Sequence, residues 1–252
     1  MRLFDADILQ FTEQWERLSG RTLYELPQVV DTTDIHSLGE TGEQPVLKSD
    51  MAYELGGGAH FAVGGTAFVS DALAADGGRF VCSGVYLAGR DLPEIQEDIS
   101  YARFALIRLR ESLLADEDAY YRAMRKADYV KYRLHPKGYL LRISSVRERE
   151  PVRVSKEALQ QGLDFAKVGR MLLQEYLQLP EVEQVQIFFI TDPQADYDKL
   201  HRLAHRFEQI TDSVNHIFSG LKMDCSTCGL KAVCDEVEDL RRLHFDRSQN
   251  GA

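Results

Sequence analysis

Apolar positions along the chain fall into stretches of helical and of strand-like spacing. Ile8, Leu9, Phe11, Trp15 and Leu18 predict a helix from about Asp5 to Ser19. From Asp31 to Asp50 polar residues dominate, with Gly39, Gly42 and Pro45 among them. This stretch reads as a linker leading into Glu54-Leu55-Gly56-Gly57-Gly58. Phe61–Val69 and Phe80–Leu87 read as strands joined through a turn at Asp76-Gly77-Gly78, and Phe104–Leu109 reads as a third. Tyr120, Met124, Ala127, Val130 and Leu134 share a helical face over Asp116–Leu134, which stops at His135-Pro136-Lys137-Gly138. Strands are expected at Tyr139–Ile143, Val152–Val154 and Val185–Ile190. Helices are expected at Asp164–Leu177, around Leu200, Leu203, Phe207 and Ile210, and around Val237, Leu240 and Leu243.

The order lacks a regular strand–helix–strand beat. It predicts an α+β fold, a mixed sheet with flanking helices and a C-terminal Cys-rich helical tail. Three parts follow: an N-terminal helix and linker at 1–50, an α+β domain at 51–218, and the tail at 219–252.

Charge narrows the range of partners. The 252 residues carry 30 Lys and Arg against 40 Asp and Glu, a formal net charge of −10. A chain this acidic repels phosphate backbones and anionic lipid, so neither nucleic acid nor a membrane is expected as a partner. The start, Met1-Arg2-Leu3-Phe4-Asp5, has no export signal pattern, and the apolar run Val185–Ile190 is too short to cross a bilayer. With 4 Cys in the chain, a cytoplasmic, reducing location is expected, where thiols serve metals more often than disulfides.

Cys225-Ser226-Thr227-Cys228-Gly229-Leu230-Lys231-Ala232-Val233-Cys234 is the sharpest motif. A C-x2-C turn can aim two thiolates at one point, and a third after five residues can close over the same centre. Cys234 precedes an acidic helical turn, where a lowered thiol pKa is expected. Cys82 is the remaining thiol and is taken as the fourth ligand; a small buried core residue is the competing role. His216 and His244 are the nearest imidazoles. An iron–sulfur cluster is favoured, with zinc as the alternative; a redox dithiol and inert thiols are the competing readings.

Between Arg103 and Arg153 about thirteen Lys and Arg face seven Asp and Glu, against the trend of the whole chain. Such a cluster can receive a phosphorylated ligand through guanidinium groups, or it can be a solvated face. Gly56–Gly58 and Gly64-Gly65 match neither G-x-G-x-x-G nor the P-loop, and read as close packing of glycines. No Ser-His-Asp or Cys-His nucleophilic set is evident.

Several segments in order resemble a known family. They are Tyr53-Glu54-Leu55-Gly56-Gly57, Val85-Tyr86-Leu87-Ala88-Gly89-Arg90-Asp91-Leu92 and Val152-Arg153-Val154-Ser155-Lys156-Glu157-Ala158-Leu159, then Gly162, Val168-Gly169-Arg170 and Val185-Gln186-Ile187-Phe188-Phe189-Ile190-Thr191-Asp192. Together they resemble the central part of acetyl-CoA synthase, the β subunit of the carbon monoxide dehydrogenase/acetyl-CoA synthase complex, over about Tyr53 to Asp212. The resemblance implies an α+β unit that receives coenzyme A through arginines, which maps to Arg149, Arg153 and Arg170, with Lys167 nearby. The family's tryptophan in this region has no counterpart here, since Trp15 lies elsewhere. The family's Cys-Gly-Cys nickel motif is absent, and four thiols are too few for both its cluster and its nickel site. The implied function is an accessory protein of this kind, binding a carbon monoxide dehydrogenase-type or other protein subunit, or a coenzyme A-like ligand. The alternative is a redox or catalytic iron–sulfur protein of one-carbon or carbon monoxide metabolism.

Overall fold

The computed structural model describes residues 1–24, 46–75, 80, 82–110, 112, 116–134, 136–142, 144–219 and 225–250, the last five through their backbone only. The expected turn at Asp76-Gly77-Gly78, most of the linker, His135 and Ile143 lie outside the described residues.

The chain forms an α+β fold built on a mixed five-stranded sheet. Its strands are β1 (Arg21–Tyr24), β3 (Ala62–Val69), β4 (Gly84–Ala88), β5 (Tyr101–Leu109) and β8 (Val182–Ile190), in the order β1-β4-β8-β5-β3. β4 and β8 are parallel, β3 and β5 are parallel, and the antiparallel β5–β8 pair joins the two halves. A smaller antiparallel sheet holds β2 (Met51–Leu55), β6 (Tyr139–Leu141) and β7 (Val152–Ser155), in the order β2-β7-β6.

Alternation along the central strands decides which helix lies on which face. Phe104 and Phe188 are cross-strand partners and point to one side. There they meet Phe11 of α1 (Asp5–Arg17) at 4.4 and 5.2 Å between ring centroids. Phe207 of α7 (Tyr197–Ser219) packs edge-on against Phe104 from the same side. Phe189 points the other way and stacks on Phe165 of α6 (Phe165–Leu177) at 4.4 Å. α6 begins where expected because the Asp164 side chain accepts the Lys167 amide at 2.7 Å, satisfying an end donor. It sits close to the sheet because Gly169 leaves room for Val85, whose methyl a Cβ there would meet at 2.4 Å.

Some elements differ from the sequence pattern. The helix expected over Asp116–Leu134 is two, α3 (Glu117–Asp128) and α4 (Val130–Arg133), with Tyr129 between them. β2 lies where the expected linker passes into the glycine-rich segment, and no strand was expected there. Short helices α2 (Asp71–Ala75) and α5 (Lys156–Gln160) also escape the periodicity, since one turn gives no repeat to detect. α1 joins the same hydrophobic core as the sheet, with Phe4, Ile8 and Phe11 buried.

The two sheets meet around a buried ionic group. Arg103 of β5 donates through Nε at 2.9 Å and Nη2 at 2.7 Å to the Glu150 carboxylate. Lys131 Nζ of α4 lies 3.2 Å from the same carboxylate, and all three side chains are 4% exposed. The backbone delivers Glu150 here: its amide donates to Ala62 O at 3.0 Å, and Gly64 N donates to Glu148 O at 2.8 Å. Segment 148–150 thus runs along the β3 edge, and Gly64 provides the space. A Cβ at Gly64 would meet the Glu150 carboxyl carbon at 1.9 Å.

Removing one partner from a buried ionic group costs about 3–5 kcal/mol, because the remaining charge is stranded. Gly64→Ala and Glu150→Gln are therefore expected to destabilise the protein by about 3 kcal/mol or more in denaturant unfolding; a change below about 1 kcal/mol would contradict this account. Burial pushes the Glu150 carboxyl up, but Arg103 and Lys131 overcome it and hold it below its ordinary 4.5. Its contribution is complete above 4.5 and is lost as pH falls through the lowered folded value. Unfolding free energy should climb with pH more steeply in wild type than in Glu150→Gln over the window just below 4.5.

Candidate functional site

The tail folds back onto the body through α8 (Lys231–Glu236) and α9 (Glu238–Asn250). Val233, Leu240 and Leu243 are buried in the common core. Polar contacts reinforce them: the Arg2 amide donates to Asp239 Oδ2 at 2.6 Å, and Arg206 Nη2 of α7 lies 2.8 Å from Glu236 Oε2. The turn at 225–230 precedes α8, with the Lys231 amide donating to Cys228 O at 3.2 Å.

This arrangement places three of the four expected metal thiols on the same turn and short helix. Cys225 is exposed, while Cys228 and Cys234 are half-buried. Cys225 Sγ lies 3.5 Å from His244 Nε2 on α9. Cys234 sits within hydrogen-bond reach of the Ser213 hydroxyl of α7, and Cys228 and Cys225 are near enough to act on it electrostatically. Among the described residues no group of three or more His, Cys, Asp or Glu is placed to hold a metal ion.

One expectation is corrected here. Burial first, then Cys228 and Cys225, push the Cys234 thiol up, not down. The reason is position: Cys234 is the fourth residue of α8, past the first-turn amides that would favour a thiolate.

Cys82 stands elsewhere. It precedes β4, is exposed, and has Tyr86 and Gln186 as neighbours; its carbonyl accepts from Gln186 Nε2 at 3.2 Å. The competing view of Cys82 as a buried core residue does not hold, because the strand begins only at Gly84.

The candidate phosphate-binding residues keep separate local partners. Arg149 is exposed and forms an isolated antiparallel bridge with Val63 of β3, its amide donating to Val146 O at 3.1 Å. Arg153 on β7 faces Glu54 across the strand pair, Nε to Oε1 3.6 Å. Lys167 Nζ donates to Gly162 O at 2.6 Å, closing the loop before α6. Arg170 on α6 keeps a buried Nε without a hydrogen bond, and so does Arg153.

The basic excess between Arg103 and Arg153 is largely consumed by carboxylates from other parts of the chain. Arg108 pairs with Asp71 at 2.9 Å, Arg142 with Glu54 at 2.6 Å, Lys126 with Glu181 at 2.5 Å, and Arg147 with Glu208 and Asp212 at 2.5 and 2.9 Å. These pairs are mostly surface contacts worth little individually, yet they tie Arg108, Lys126, Arg142 and Arg147 to carboxylates outside the segment.

Sequence reasoning missed a cavity of about 280 Å³ between the end of α1 and the start of α7. Gln14, Arg17, Asp192, Asp196 and Leu200 line it, and Gln14 Nε2 is buried without a hydrogen bond. No spacing in the sequence joins residues this far apart. Among the described residues no helix is long and apolar enough to cross a membrane. No family model matches the chain, and no curated protein matches it either.

Burial and the raised pKa of Cys234 slow its alkylation, since the thiolate is the reactive form. In chelator-treated protein at neutral pH, iodoacetamide should modify exposed Cys225 before Cys234, as read by peptide mass analysis. The reverse order would show that the tail is not docked on α7 as described.

Proposed function

We propose that the protein is a non-catalytic, acetyl-CoA synthase-like accessory protein that holds a thiolate metal centre in its C-terminal tail. It serves by binding a partner subunit or a coenzyme A-like ligand. What supports the metal centre is the C-x2-C-x5-C spacing of Cys225, Cys228 and Cys234 on a turn and helix packed beside α7, with Cys225 3.5 Å from His244. A soft donor set on a short turn suits a thiolate-bound metal, and ordering such a turn converts binding energy into fold stability. Three sulfurs serve a single centre and leave none for a second metal site of the kind acetyl-CoA synthase uses. The binding role rests on the segments that resemble that family and on the buried Nε of Arg170, which has no hydrogen bond. The cytoplasm fits exposed free thiols such as Cys225 and Cys82.

Metal analysis of protein purified without air tests the first half. Wild type is expected to carry metal and Cys228→Ser to lose it together with thermal stability. Metal-free wild type, or a Cys228→Ser protein that keeps its metal, would overturn the centre. Coenzyme A is expected to raise the melting temperature, and Arg153→Ala to erase that gain. No shift at millimolar ligand would retire the coenzyme A reading and leave the partner subunit.

A further inference from the structure

We propose that the cavity between the end of α1 and the start of α7 binds a small free amino acid with an uncharged side chain. The site is separate from the tail thiols and from the coenzyme A reading, and stands or falls without them.

Opposed charges carry the inference. α1 contributes Gln14 and Arg17 to one wall, three residues apart and so on one helix face. The other wall belongs to the stretch joining β8 to α7, with Asp192 and Asp196. Asp192 is 6% exposed, yet its Oδ1 takes only the Gln194 amide, at 2.8 Å, and no cation pairs with it among the described residues. Asp196 accepts the Lys199 amide at 2.9 Å and likewise lacks a cation among them. Arg17 is exposed and forms no ion pair with a described residue. Gln14 is 9% exposed, and its Nε2 has no hydrogen bond.

A buried carboxylate without a counter-charge and a buried amide without an acceptor are both costly. A molecule with an ammonium at one end and a carboxylate at the other answers both. Its ammonium donates to Asp192, with Asp196 beyond. Its carboxylate accepts from Arg17 in a charge-assisted bond. A small turn about the last side-chain bond of Gln14, a soft torsion, brings Nε2 to the same carboxylate.

Volume limits the occupant. At about 280 Å³ the cavity lies just below the roughly 300–1,000 Å³ of pockets for drug-sized ligands, which suits a metabolite of few atoms and not a nucleotide. Leu18 and Leu200 complete the wall, so the frame between the charged ends is apolar.

The fold holds both walls in place. Trp15, next to Gln14 in the chain, packs against Phe188 at 4.9 Å and seats the end of α1 on the sheet. Opposite, the end of β4 fixes Asp192: its amide donates to Ala88 O at 3.1 Å, and the Thr191 amide does so at 2.8 Å. That approach requires Gly89, where φ is +105° and a Cβ would meet the Asp192 amide nitrogen at 2.4 Å. The carboxylate is thus delivered to the C-terminal ends of the parallel pair β4 and β8, where open α/β sheets place their ligands.

Titration calorimetry and melting temperature on the full chain test the site with glycine, L-alanine, L-leucine and γ-aminobutyrate, which differ in bulk and in the span between charges. One of them at least is expected to bind, one per chain. Removing either charged end of the best ligand, as the amine alone or the carboxylate alone, should weaken binding about tenfold or more, the cost of one charge-assisted hydrogen bond. Arg17→Ala should do the same, and so should Asp192→Asn, which keeps an oxygen for the Gln194 amide. Should Asp192→Asn fail to fold, the exposed Arg17 and the ligand series on wild type still decide. No binding of any of the four at millimolar concentration overturns the proposal. So does an amine or a carboxylate that binds as tightly as the amino acid, or an affinity unchanged in either folded variant.

Discussion

Two cations and one carboxylate share the space between the sheets, each with a side chain only 4% exposed. Arg103, Lys131 and Glu150 come from β5, from α4 and from the segment bordering β3. Each charge is tolerable there only because the other two are in place, so the three elements are fixed relative to one another or not at all. The requirement extends to Gly64, whose missing side chain is the volume the Glu150 carboxyl occupies. The buried hydroxyl pair Tyr101–Tyr139, 2.6 Å apart, crosses the same boundary from β5 to β6 and repeats the constraint with neutral groups. The smaller sheet is thereby held against the larger by polar geometry as well as by apolar area.

Local signals in the sequence translated well where one element determines its own structure. Helix α6 was readable from the helical spacing of apolar residues over Asp164–Leu177, and the buried Phe165, Val168, Leu172 and Tyr176 are that face. β8 was readable because a strand covered on both faces shows as a continuous apolar run. What escaped was everything settled by a distant partner. β2 is a strand because β7 pairs with it, while its own residues, Met51 to Leu55, show little alternation. The stretch from Arg103 to Arg153 looked basic in one dimension, yet Asp71, Glu54, Glu181, Glu208 and Asp212 fold onto it from elsewhere.

The same division runs through the candidate site. Cys225, Cys228 and Cys234 were visible as a motif because a turn and one helical segment fix their spacing. The contact with His244 was not, because it depends on how α9 folds back, which Leu240 and Leu243 decide through packing against the rest of the core. The assignment of Cys82 to the same centre followed from counting thiols, and counting carries no information about place. The pKa direction of Cys234 went wrong for a related reason: the helix terminus acts within one turn, while burial acts wherever neighbours close in.

Helix α7 touches both the cavity and the tail. Leu200 forms part of the cavity wall, and Ser213 meets Cys234. They are about 20 Å apart along a single axis at the usual rise per residue. A stiff rod with a hollow at one end and a sulfur-rich clasp at the other cannot slide or tilt at one without being felt at the other.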